Sequence, residues 1–573
     1  MSRTEAGDRA AHSLSSLSRD ARLAAAALGL LSLFVLFHNL GGAALFDPDE
    51  GRNAEIAREI PLTKDWVTPY YDFLPRLEKP MFFYALTALC YKLFGVSEAA
   101  ARFPSAALAL ATFLLTYFFA RRTLGSWAAL WSGLILVTCV EFYAFSRIVI
   151  LDMTLAFFLT LALCAYYRAS AAESREKKRA HYFLMYAAVA CATLVKGPIG
   201  FVFPGMIILS YLVVKRKWSG LAEMELGWGV LIFVLIAAPW YAWQELRNPG
   251  YLAYFLGQEH FARYLTPYYH RTKTWYFFFV VLAGGFFPWT LLLPSVATRL
   301  WKKPLDDLSL YLLLWAIVPF VFFSLSRSKM AEYLLPIYPA LSILAGKSAA
   351  NSLKTWEVWL LSLTWQVLNL SLLYLVLGLA WPEILPVQLR AAVRQLSETT
   401  APFAALLLLA FVLLPWTAWM TFARDQQRLL FTSCLVFFLF FAFAHRFIEP
   451  FSLTRSYKDL AARSAPFLRP GDQLVIYDNF MPSLPFYLGV SEPIWIVTSA
   501  DEDNIMGSFY LAEQRPPPAP GHGKVLFTHE EFFEQWGGRQ RRLLVFIKEK
   551  YLFELRDPKV LLRLGGIALV ANR

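Results

Sequence analysis

The chain has 573 residues, of which 57% are hydrophobic and 17% aromatic, while only 17% are charged. Soluble domains usually carry about 25% charged residues, so this composition excludes a soluble enzyme, a disordered chain and a fibrous protein. The formal net charge is +12, but the basic residues lie mostly in short loops between apolar runs. Basic residues in such loops set the orientation of a membrane protein, so we expect no nucleic-acid partner.

Membrane spans are predicted from apolar runs of about 17–24 residues, which are long enough to cross ~30 Å of hydrocarbon. The 14 runs lie at 23–39, 80–96, 103–120, 126–144, 150–167, 180–195, 198–214, 226–244, 275–297, 308–325, 331–346, 358–381, 402–421 and 428–446. If run 80–96 lies along the outer interface, all strong basic clusters fall in the cytoplasm, as the positive-inside rule requires. We therefore predict a membrane α-helical fold with about 13 transmembrane helices, a cytoplasmic N-terminus and an external C-terminus.

The chain is predicted to form two domains. Residues 1–446 form the transmembrane domain, with a first external loop at about 40–102, and residues 447–573 form an external domain. In the second domain, β-rich runs alternate with helical patterns, which favours an α/β domain with a mostly parallel sheet. The β-rich runs are 473–477, 493–497, 542–547 and 566–570, and the helical patterns are 457–467, 529–536 and 558–564.

Carboxylates at the outer membrane boundary are the first candidates for a functional site. The first external loop opens with Phe46-Asp-Pro-Asp-Glu-Gly-Arg52, and Asp152 lies at the outer mouth of a later span. Charged residues so close to lipid are costly and are usually functional. Capping of a helix N-terminus is an alternative role for Asp47 and Glu50, but it fits Asp49 less well.

Several cations also lie on the outer side, against the positive-inside trend. Lys79 directly precedes the interfacial run, Lys196 lies in a turn between two spans, and Arg327 and Lys329 form a further external cluster. An anionic headgroup is the obvious partner for them, although Lys79 could also be a snorkelling anchor. External carboxylates and cations beside a wall of spans together predict chemistry on a lipid-linked phosphate.

Five motifs occur in a consistent order along the chain: Phe46–Arg52, Leu77-Glu-Lys-Pro80, Phe94-Gly95 with Ala101–Ser105, Arg147 with Asp152, and Tyr333-Leu-Leu-Pro-Ile-Tyr-Pro339. These motifs resemble those of the integral-membrane glycosyltransferases with the GT-C fold. The resemblance is strongest to the bacterial lipid A aminoarabinosyltransferases and more distant to the protein O-mannosyltransferases. It covers roughly residues 20–450, and the tail fits the periplasmic α/β domain of the aminoarabinosyltransferases.

The resemblance implies a donor, an acceptor and a location. The donor would be undecaprenyl phosphate carrying 4-amino-4-deoxy-L-arabinose, and the acceptor would be a lipid A phosphate. The active site would face the periplasm from a multi-pass protein in the bacterial inner membrane, and the product would be a modified lipopolysaccharide that confers polymyxin resistance. We expect direct displacement with inversion at C1 of the sugar, and we expect a monomer.

The resemblance also suggests roles for individual residues. Asp49 and Asp152 would be catalytic, and Lys79 would bind the donor phosphate with help from Arg263. Further candidates for the donor phosphate are Lys196, Arg327 and Lys329, and the supporting residues are Asp47, Glu50, Arg52, Arg147, Tyr333 and Tyr338. Glu78 and His260 are candidate ligands for a divalent metal, either Zn or Mg/Mn, and no other cofactor is expected.

Two alternatives to this function stay open. The acceptor could instead be a protein Ser or Thr residue, or another lipid or glycan, with a different sugar. A flippase or transporter for a lipid-linked sugar is less favoured, because transporters place charges in the middle of their spans and show inverted repeats. Here the charges gather at one face and no repeat is evident.

Overall fold

The computed structural model describes residues 19–266, 272–301, 305–351, 353–381, 383, 426–499, 504–538 and 541–573. Helices dominate the described residues as far as the long helix Gln426–Leu453, and an α/β unit follows it. The domain boundary predicted between residues 446 and 447 falls inside that helix. The predicted span at 402–421 lies outside the described residues.

The helices of the first part have the following bounds. They are Arg19–Phe37, Asp49–Thr63, Phe82–Phe94, Glu98–Leu124, Ser126–Thr138, Val140–Phe145, Leu151–Ser170, Arg175–Lys196, Ile199–Lys215, Ser219–Glu223, Leu226–Arg247, Tyr251–Ala253, Tyr254–Ala262 (π), Arg263–Leu265, Phe277–Gly285, Trp289–Leu292 (3-10), Leu293–Trp301, Asp307–Leu325, Ala331–Ile337 (3-10), Tyr338–Ala350, Thr355–Ala380 and Gln426–Leu453.

Four of these helices are both long and apolar enough to cross a membrane, namely Glu98–Leu124, Leu151–Ser170, Leu226–Arg247 and Asp307–Leu325. Large apolar side chains of Leu226–Arg247 are exposed, including Leu235 at 65% and Trp243 at 56%. Exposed apolar surface of this kind is what a helix presents to lipid. The protein is a multi-pass membrane protein, while the number of 13 spans stays a prediction.

Two predicted spans contain a break at which the helix stops. Run 275–297 divides into Phe277–Gly285 and Trp289–Trp301, which meet at an angle of 106°. The break includes Pro288, which has no N–H to donate and disfavours helical geometry in the residue before it. Run 126–144 divides at Cys139, whose backbone is extended. Both runs stay predicted spans, but neither forms one continuous helix.

Run 80–96 forms the short helix Phe82–Phe94 of 13 residues. At 1.5 Å per residue this helix is about 20 Å long, which is too short to cross ~30 Å of hydrocarbon. Its length agrees with the expectation that this run does not cross the membrane.

The first loop is held together by a buried polar helix, Asp49–Thr63. Next to it, strands β1 (Tyr70–Tyr71) and β2 (Leu74–Pro75) form a small hairpin. Both turn residues, Asp72 and Phe73, have positive φ angles of 52° and 59°, which are unfavourable for residues other than glycine. The Glu59 carboxylate accepts both of their backbone N–H groups, at 2.6 and 2.9 Å, and so stabilises the turn.

The C-terminal domain contains a six-stranded sheet of order β5-β4-β3-β6-β8-β7. The strands are β3 (Gln473–Tyr477), β4 (Trp495–Val497), β5 (Leu526–Phe527), β6 (Leu543–Lys548), β7 (Lys559–Leu564) and β8 (Ile567–Ala571). Strands β3 to β6 pair in parallel, as expected, and β8 pairs antiparallel with β6 and β7. The helices are Lys458–Ser464, Ala465–Phe467 (3-10), Leu484–Leu488, Phe509–Gln514, His529–Gly538 and Glu549–Glu554 (3-10).

The helix predicted at 558–564 is instead strand β7, so that prediction is wrong. The two residues after β7 are Gly565 and Gly566, with φ angles of +58° and +79°. A two-residue turn with positive φ at both positions is the preferred connection of a β-hairpin. The Gly-Gly pair followed by the β8 run was therefore the signal for a hairpin.

The C-terminal domain packs directly on the first loop. A guanidinium N–H of Arg58 donates to the carbonyl of Val490 at 2.6 Å, and the Asp72 carboxylate accepts the backbone N–H of Ile494 at 2.9 Å. Both contacts use side chains that are themselves buried. The domain therefore lies where it can contribute to a site at the edge of the first loop.

Candidate functional site

A polar cavity of about 320 Å³ lies where the first loop, the ends of several membrane helices and the C-terminal domain meet. Its charged lining is balanced, with five cations and five carboxylates. They are Arg52, Arg76, Lys79, Lys196 and Arg263, and Asp49, Glu78, Asp152, Glu259 and Glu332. A cavity of this kind can bind a ligand that itself carries charges of both signs.

Asp152 and Lys196 form a buried ion pair in one wall of the cavity. Lys196 Nζ lies 2.5 Å from Oδ1 of Asp152, and the side chains are 11% and 6% exposed. Asp152 occupies the first turn of helix Leu151–Ser170, where the helix dipole favours a carboxylate. Lys196 is the last residue of its helix, and Gly197 follows it with a φ angle of +77°. A Cβ atom on residue 197 would lie only 2.7 Å from the His260 ring, so this position suits glycine.

Lys79 and Arg263 converge on the buried carboxylate of Glu259. Lys79 Nζ lies 2.5 Å from Oε1 of Glu259, and Arg263 pairs with the same oxygen. Arg263 also donates to the Tyr333 hydroxyl at 3.1 Å, and Lys196 Nζ lies 5.0 Å from the centre of the Tyr333 ring. These contacts join the predicted phosphate ligands Lys79, Lys196 and Arg263 into one network.

The electrostatics of this network are unusual. Burial lowers the pKa of Lys79 to about 8, although the Glu259 charge acts in the opposite direction. Burial disfavours the ionised form of Glu259, but the positive charges of Lys79 and Arg263 outweigh it and hold the pKa of Glu259 well below its usual range. The Glu259 carboxylate is therefore ionised, while Lys79 loses its proton as the pH rises through about 8.

Asp49 lies on another wall, in the first turn of helix Asp49–Thr63. It pairs with Arg52, and its side chain is 43% exposed, whereas that of Arg52 is 17% exposed. Of the two predicted catalytic carboxylates, Asp49 is therefore open to the cavity and Asp152 is enclosed. Both line the same cavity, although they are about a hundred residues apart in sequence.

An apolar groove of about 420 Å³ adjoins the polar cavity. The two share one border, which consists of Lys79, Lys196, Glu259, Arg263 and Tyr333. Most of the remaining groove is apolar: Pro198, Ile199, Val202, Phe261, Leu265, Phe322 and Phe323. Cations at the end of an apolar groove match a lipid with an anionic headgroup.

Glu50 and Asp47 support the loop. Glu50 also lies in the first turn of the helix and accepts the backbone N–H of Phe46 at 2.9 Å, as the capping alternative allows, whereas the Asp47 side chain does not cap the helix. The Glu50 carboxylate forms a bidentate pair with Arg102 at 2.8 and 2.7 Å and accepts the backbone N–H of Val149 at 2.8 Å. Asp47 accepts the Ser483 hydroxyl at 2.6 Å, and burial raises the pKa of Asp47 to about 7. Both carboxylates therefore tie the loop to neighbouring elements.

Four other predicted residues do not line the cavity or the groove. Arg147 donates to the backbone carbonyls of Val35 and His38, at the end of a helix. Tyr338 is buried and donates to Glu141. Lys329 donates to the carbonyl of Ser326 at 2.6 Å, and Arg327 is exposed. The contacts of Arg147, Tyr338 and Lys329 fit structural roles.

The two predicted metal ligands, Glu78 and His260, line different cavities. The two ring nitrogens of His260 lie 2.7 and 3.3 Å from the carbonyl oxygens of Phe255 and Lys196, and Glu78 pairs with Arg76 at 3.1 Å. Glu78 lines the polar cavity and His260 lines the groove. Among the described residues, no group of three or more His, Cys, Asp or Glu side chains is placed to hold a metal ion.

Besides the lining residues Arg76 and Glu332, sequence reasoning missed two parts of this site. One is Glu259, whose signal was Arg263 four residues later, at the spacing of neighbours on a helix face. The other is the contribution of the C-terminal domain, from Phe480, Asn504, Gly507 and Phe509. Arg76 binds this part by donating to the carbonyls of Met506 and Gly507 at 3.0 and 2.9 Å.

Comparison with known proteins agrees with this architecture. The sequence profile of the dolichyl-phosphate-mannose-protein mannosyltransferase family matches residues 22–255. Two curated relatives carry the name undecaprenyl phosphate-alpha-4-amino-4-deoxy-L-arabinose arabinosyl transferase. The protein of Aeromonas hydrophila is 33% identical over 57% of this chain and 60% of its own length. That of Pseudomonas aeruginosa is 31% identical, with the same coverage.

The matched region thus spans about three fifths of the curated relatives. A solved structure aligns over nearly the whole chain. The crystal structure of ArnT from Cupriavidus metallidurans bound to undecaprenyl phosphate covers 96% of this chain and 98% of its own, with a TM-score of 0.81 and 28% identity. The protein has the membrane-embedded fold of the GT-C glycosyltransferases. Within that class the chain is ArnT-like, and the predicted resemblance is confirmed.

Proposed function

We propose that the protein transfers 4-amino-4-deoxy-L-arabinose from undecaprenyl phosphate to a lipid A phosphate at the periplasmic face of the bacterial inner membrane. The observation that carries this proposal is the border between the polar cavity and the apolar groove. Three cations, Lys79, Lys196 and Arg263, lie along that border. A polyprenyl phosphate fits this arrangement, with its chain in the groove and its phosphate at the cations.

The donor carries two charges of opposite sign, a phosphodiester and the ammonium of the aminosugar. The cations of the border bind the first. For the second, Asp49 is the exposed carboxylate of the cavity. A zwitterionic donor therefore adds no net charge to a cavity whose lining is already balanced, which favours an aminosugar over a neutral one.

The chemistry is a single displacement at C1 of the sugar. An oxygen of the acceptor phosphate forms the new bond to C1, and the bond from C1 to the donor phosphate breaks, with its electron pair leaving on undecaprenyl phosphate. The negative charge on that leaving group grows as the bond breaks, so Lys79 and Arg263 bind the transition state more tightly than the ground state. The acceptor phosphate is already ionised and needs little help from a base.

Purified protein tests this proposal directly. It is incubated with undecaprenyl-phosphate aminoarabinose and lipid A, and the lipid product is analysed by mass spectrometry. We expect lipid A to gain one aminoarabinose on a phosphate, and Lys79→Ala to reduce the rate strongly. If the parent protein transfers no sugar to a lipid A phosphate, the acceptor assignment is contradicted.

A protein acceptor is the second candidate function, and the profile match to a protein mannosyltransferase family favours it. A Ser or Thr hydroxyl, unlike a phosphate, must lose a proton during the attack, and Asp49 would then act as the base. The same assay with a Ser/Thr-rich peptide and a mannosyl donor separates the two. Transfer to the peptide and not to lipid A would favour this alternative.

A further inference from the structure

A second polar cavity, of about 300 Å³, lies in the C-terminal domain at the carboxyl ends of its parallel strands. Asp478 follows β3 directly, Thr498 follows β4, and Lys548 is the last residue of β6. All three line the cavity, together with Asn479 and Asn504. Polar side chains therefore gather at one edge of a sheet whose strands are otherwise apolar.

The position of this cavity in the sheet is where open α/β sheets bind ligands. From β3 the chain proceeds outward through β4 to β5 and then returns to place β6 on the other side of β3. Connections that leave in opposite directions open a crevice outside the carboxyl ends of the strands, and ligands bind in such crevices. Asp478 next to β3 and Lys548 of β6 flank this point of reversal.

The charged groups of the cavity are available to a ligand. Neither Asp478 nor Lys548 forms a salt bridge to another described residue. A half-buried ammonium provides a point charge for a phosphate, while a carboxylate and side-chain amides accept and donate hydrogen bonds to hydroxyl or amino groups. This combination matches a phosphorylated sugar and does not match an apolar molecule.

The cavity also adjoins the proposed catalytic site. Phe480 and Asn504 line both cavities. The segment that carries Asn504 is fixed to the first loop, because Ser508 donates its hydroxyl to Glu78 and Arg76 binds the carbonyl of Gly507. The second cavity therefore borders the cavity that Arg52 and Arg76 line.

We propose that this cavity binds the phosphorylated saccharide headgroup of the acceptor, with Lys548 at a phosphate and Asp478 at hydroxyl or amino groups. This inference rests on the proposed function in one respect, the identity of the acceptor as a phosphorylated glycolipid. It assigns to the C-terminal domain the recognition of the acceptor, while the membrane domain binds the donor.

Direct binding tests the cavity without any transfer reaction. The probes are glucosamine 1-phosphate, glucosamine and inorganic phosphate, titrated into the purified full chain and followed by ligand-detected NMR. We expect saturable binding of glucosamine 1-phosphate, weakened about tenfold or more by Lys548→Gln. Asp478→Asn should weaken the binding of glucosamine 1-phosphate and of glucosamine but not the binding of inorganic phosphate. The matched control is Lys550→Gln, because Lys550 is exposed and lies outside the cavity.

The catalytic cavity could bind the same probe, and Lys79→Ala separates the two sites. Binding that survives Lys79→Ala and is lost in Lys548→Gln supports the proposal. The proposal is overturned if the parent protein does not bind the probe, or if the parent and Lys548→Gln bind it equally. It is also overturned if binding is lost in Lys79→Ala and survives in Lys548→Gln. An unchanged melting temperature for Lys548→Gln shows that the variant is folded.

The transfer assay then tests whether the bound sugar is the acceptor. Lys548→Gln should raise the KM for lipid A about tenfold with little change in kcat or in the donor KM, and glucosamine 1-phosphate should compete with lipid A. Binding without competition would overturn the acceptor assignment. If the parent transfers to no acceptor, the proposed function fails, while the binding result for the cavity still stands on its own.

Discussion

The Glu259 carboxylate lies 2.5 Å from the ammonium of Lys79 and also pairs with Arg263. It is 1% exposed, so it is almost fully desolvated between two cations. An anion therefore already occupies the place between the two residues that we assign to the donor phosphate. Glu259 both holds the cations together and competes with the phosphate for them.

Removing this competing charge should strengthen phosphate binding and slow turnover. We expect Glu259→Gln to bind undecaprenyl phosphate several-fold more tightly at mildly acidic pH, because two buried cations lose their carboxylate. The kcat should fall, since the anionic product leaves more slowly. Lipid binding and steady-state transfer measure the two effects. Glu513→Gln, an exposed acid near the same loop, should change neither, and weaker lipid binding by Glu259→Gln would leave it a purely positioning residue.

The pH dependence of donor use should report Lys79. Its pKa of about 8 lies below that of an ordinary lysine because of burial. Lys79 is thus charged at neutral pH and loses its charge as pH rises through about 8, so kcat/KM for the donor should fall above that pH. Lys79→Arg keeps its charge throughout, and its profile should lack this limb, although its activity is lower. The same alkaline limb in Lys79→Arg would assign the titration to another group.

The two predicted catalytic carboxylates should respond differently to neutral replacement. Asp49→Asn should reduce kcat strongly while changing stability by no more than about 0.5 kcal/mol, because Asp49 is 43% exposed. Asp152→Asn should reduce both activity and thermal stability, since it leaves the enclosed ammonium of Lys196 without its carboxylate. Melting temperature and transfer rate are measured on the same preparations. Near-parental transfer by both variants would remove the carboxylates from the mechanism.

Much of the site could be predicted from the sequence. A charged residue near lipid is energetically costly, so each such residue is a candidate for a functional role. Asp49, Lys79, Asp152 and Lys196 stood out as external charges at the membrane boundary, and the structure places all four in one cavity. The membrane helices followed from apolar runs in the same way. The break near Pro288 did not, because a run of apolar residues looks continuous whether its helix is straight or bent at 106°.

The contribution of the C-terminal domain could not be predicted, because it depends on contacts between residues far apart in sequence. Arg76 and Gly507 illustrate this: they meet through a backbone carbonyl, which carries no signal in the sequence. Likewise, Glu50 was ambiguous between a helix cap and a site residue until its partner Arg102 was located. The sequence identifies which groups are costly, and only the fold identifies which groups pair with them.

The Glu50–Arg102 pair should contribute to stability and not to chemistry. Its side chains are 1% and 4% exposed, and breaking a buried pair by removing one partner costs about 3–5 kcal/mol. We expect Glu50→Gln to lower the melting temperature markedly, while the protein that remains folded keeps its donor KM. The double variant Glu50→Gln/Arg102→Gln should be less unstable than the two single effects added together. Additive effects would show that the two residues act independently.

The orientation in the membrane provides the last prediction. Helix Arg175–Lys196 carries Lys196 at the cavity, and near its other end Lys178 pairs with Glu223. The neighbouring helix Leu151–Ser170, which is long and apolar enough to cross a membrane, carries Asp152 at the same cavity and ends close in sequence to this basic segment. We therefore expect the cavity and the basic end to lie on opposite sides of the membrane. Since basic clusters concentrate in the cytoplasm, reporters fused after residues 122, 178 and 217 should be cytoplasmic, and one fused after residue 453 should be periplasmic. Alkaline phosphatase and green fluorescent protein fusions, which are active on opposite sides, measure this. A periplasmic signal at 178 would place the cavity in the cytoplasm, where it could not reach a periplasmic acceptor.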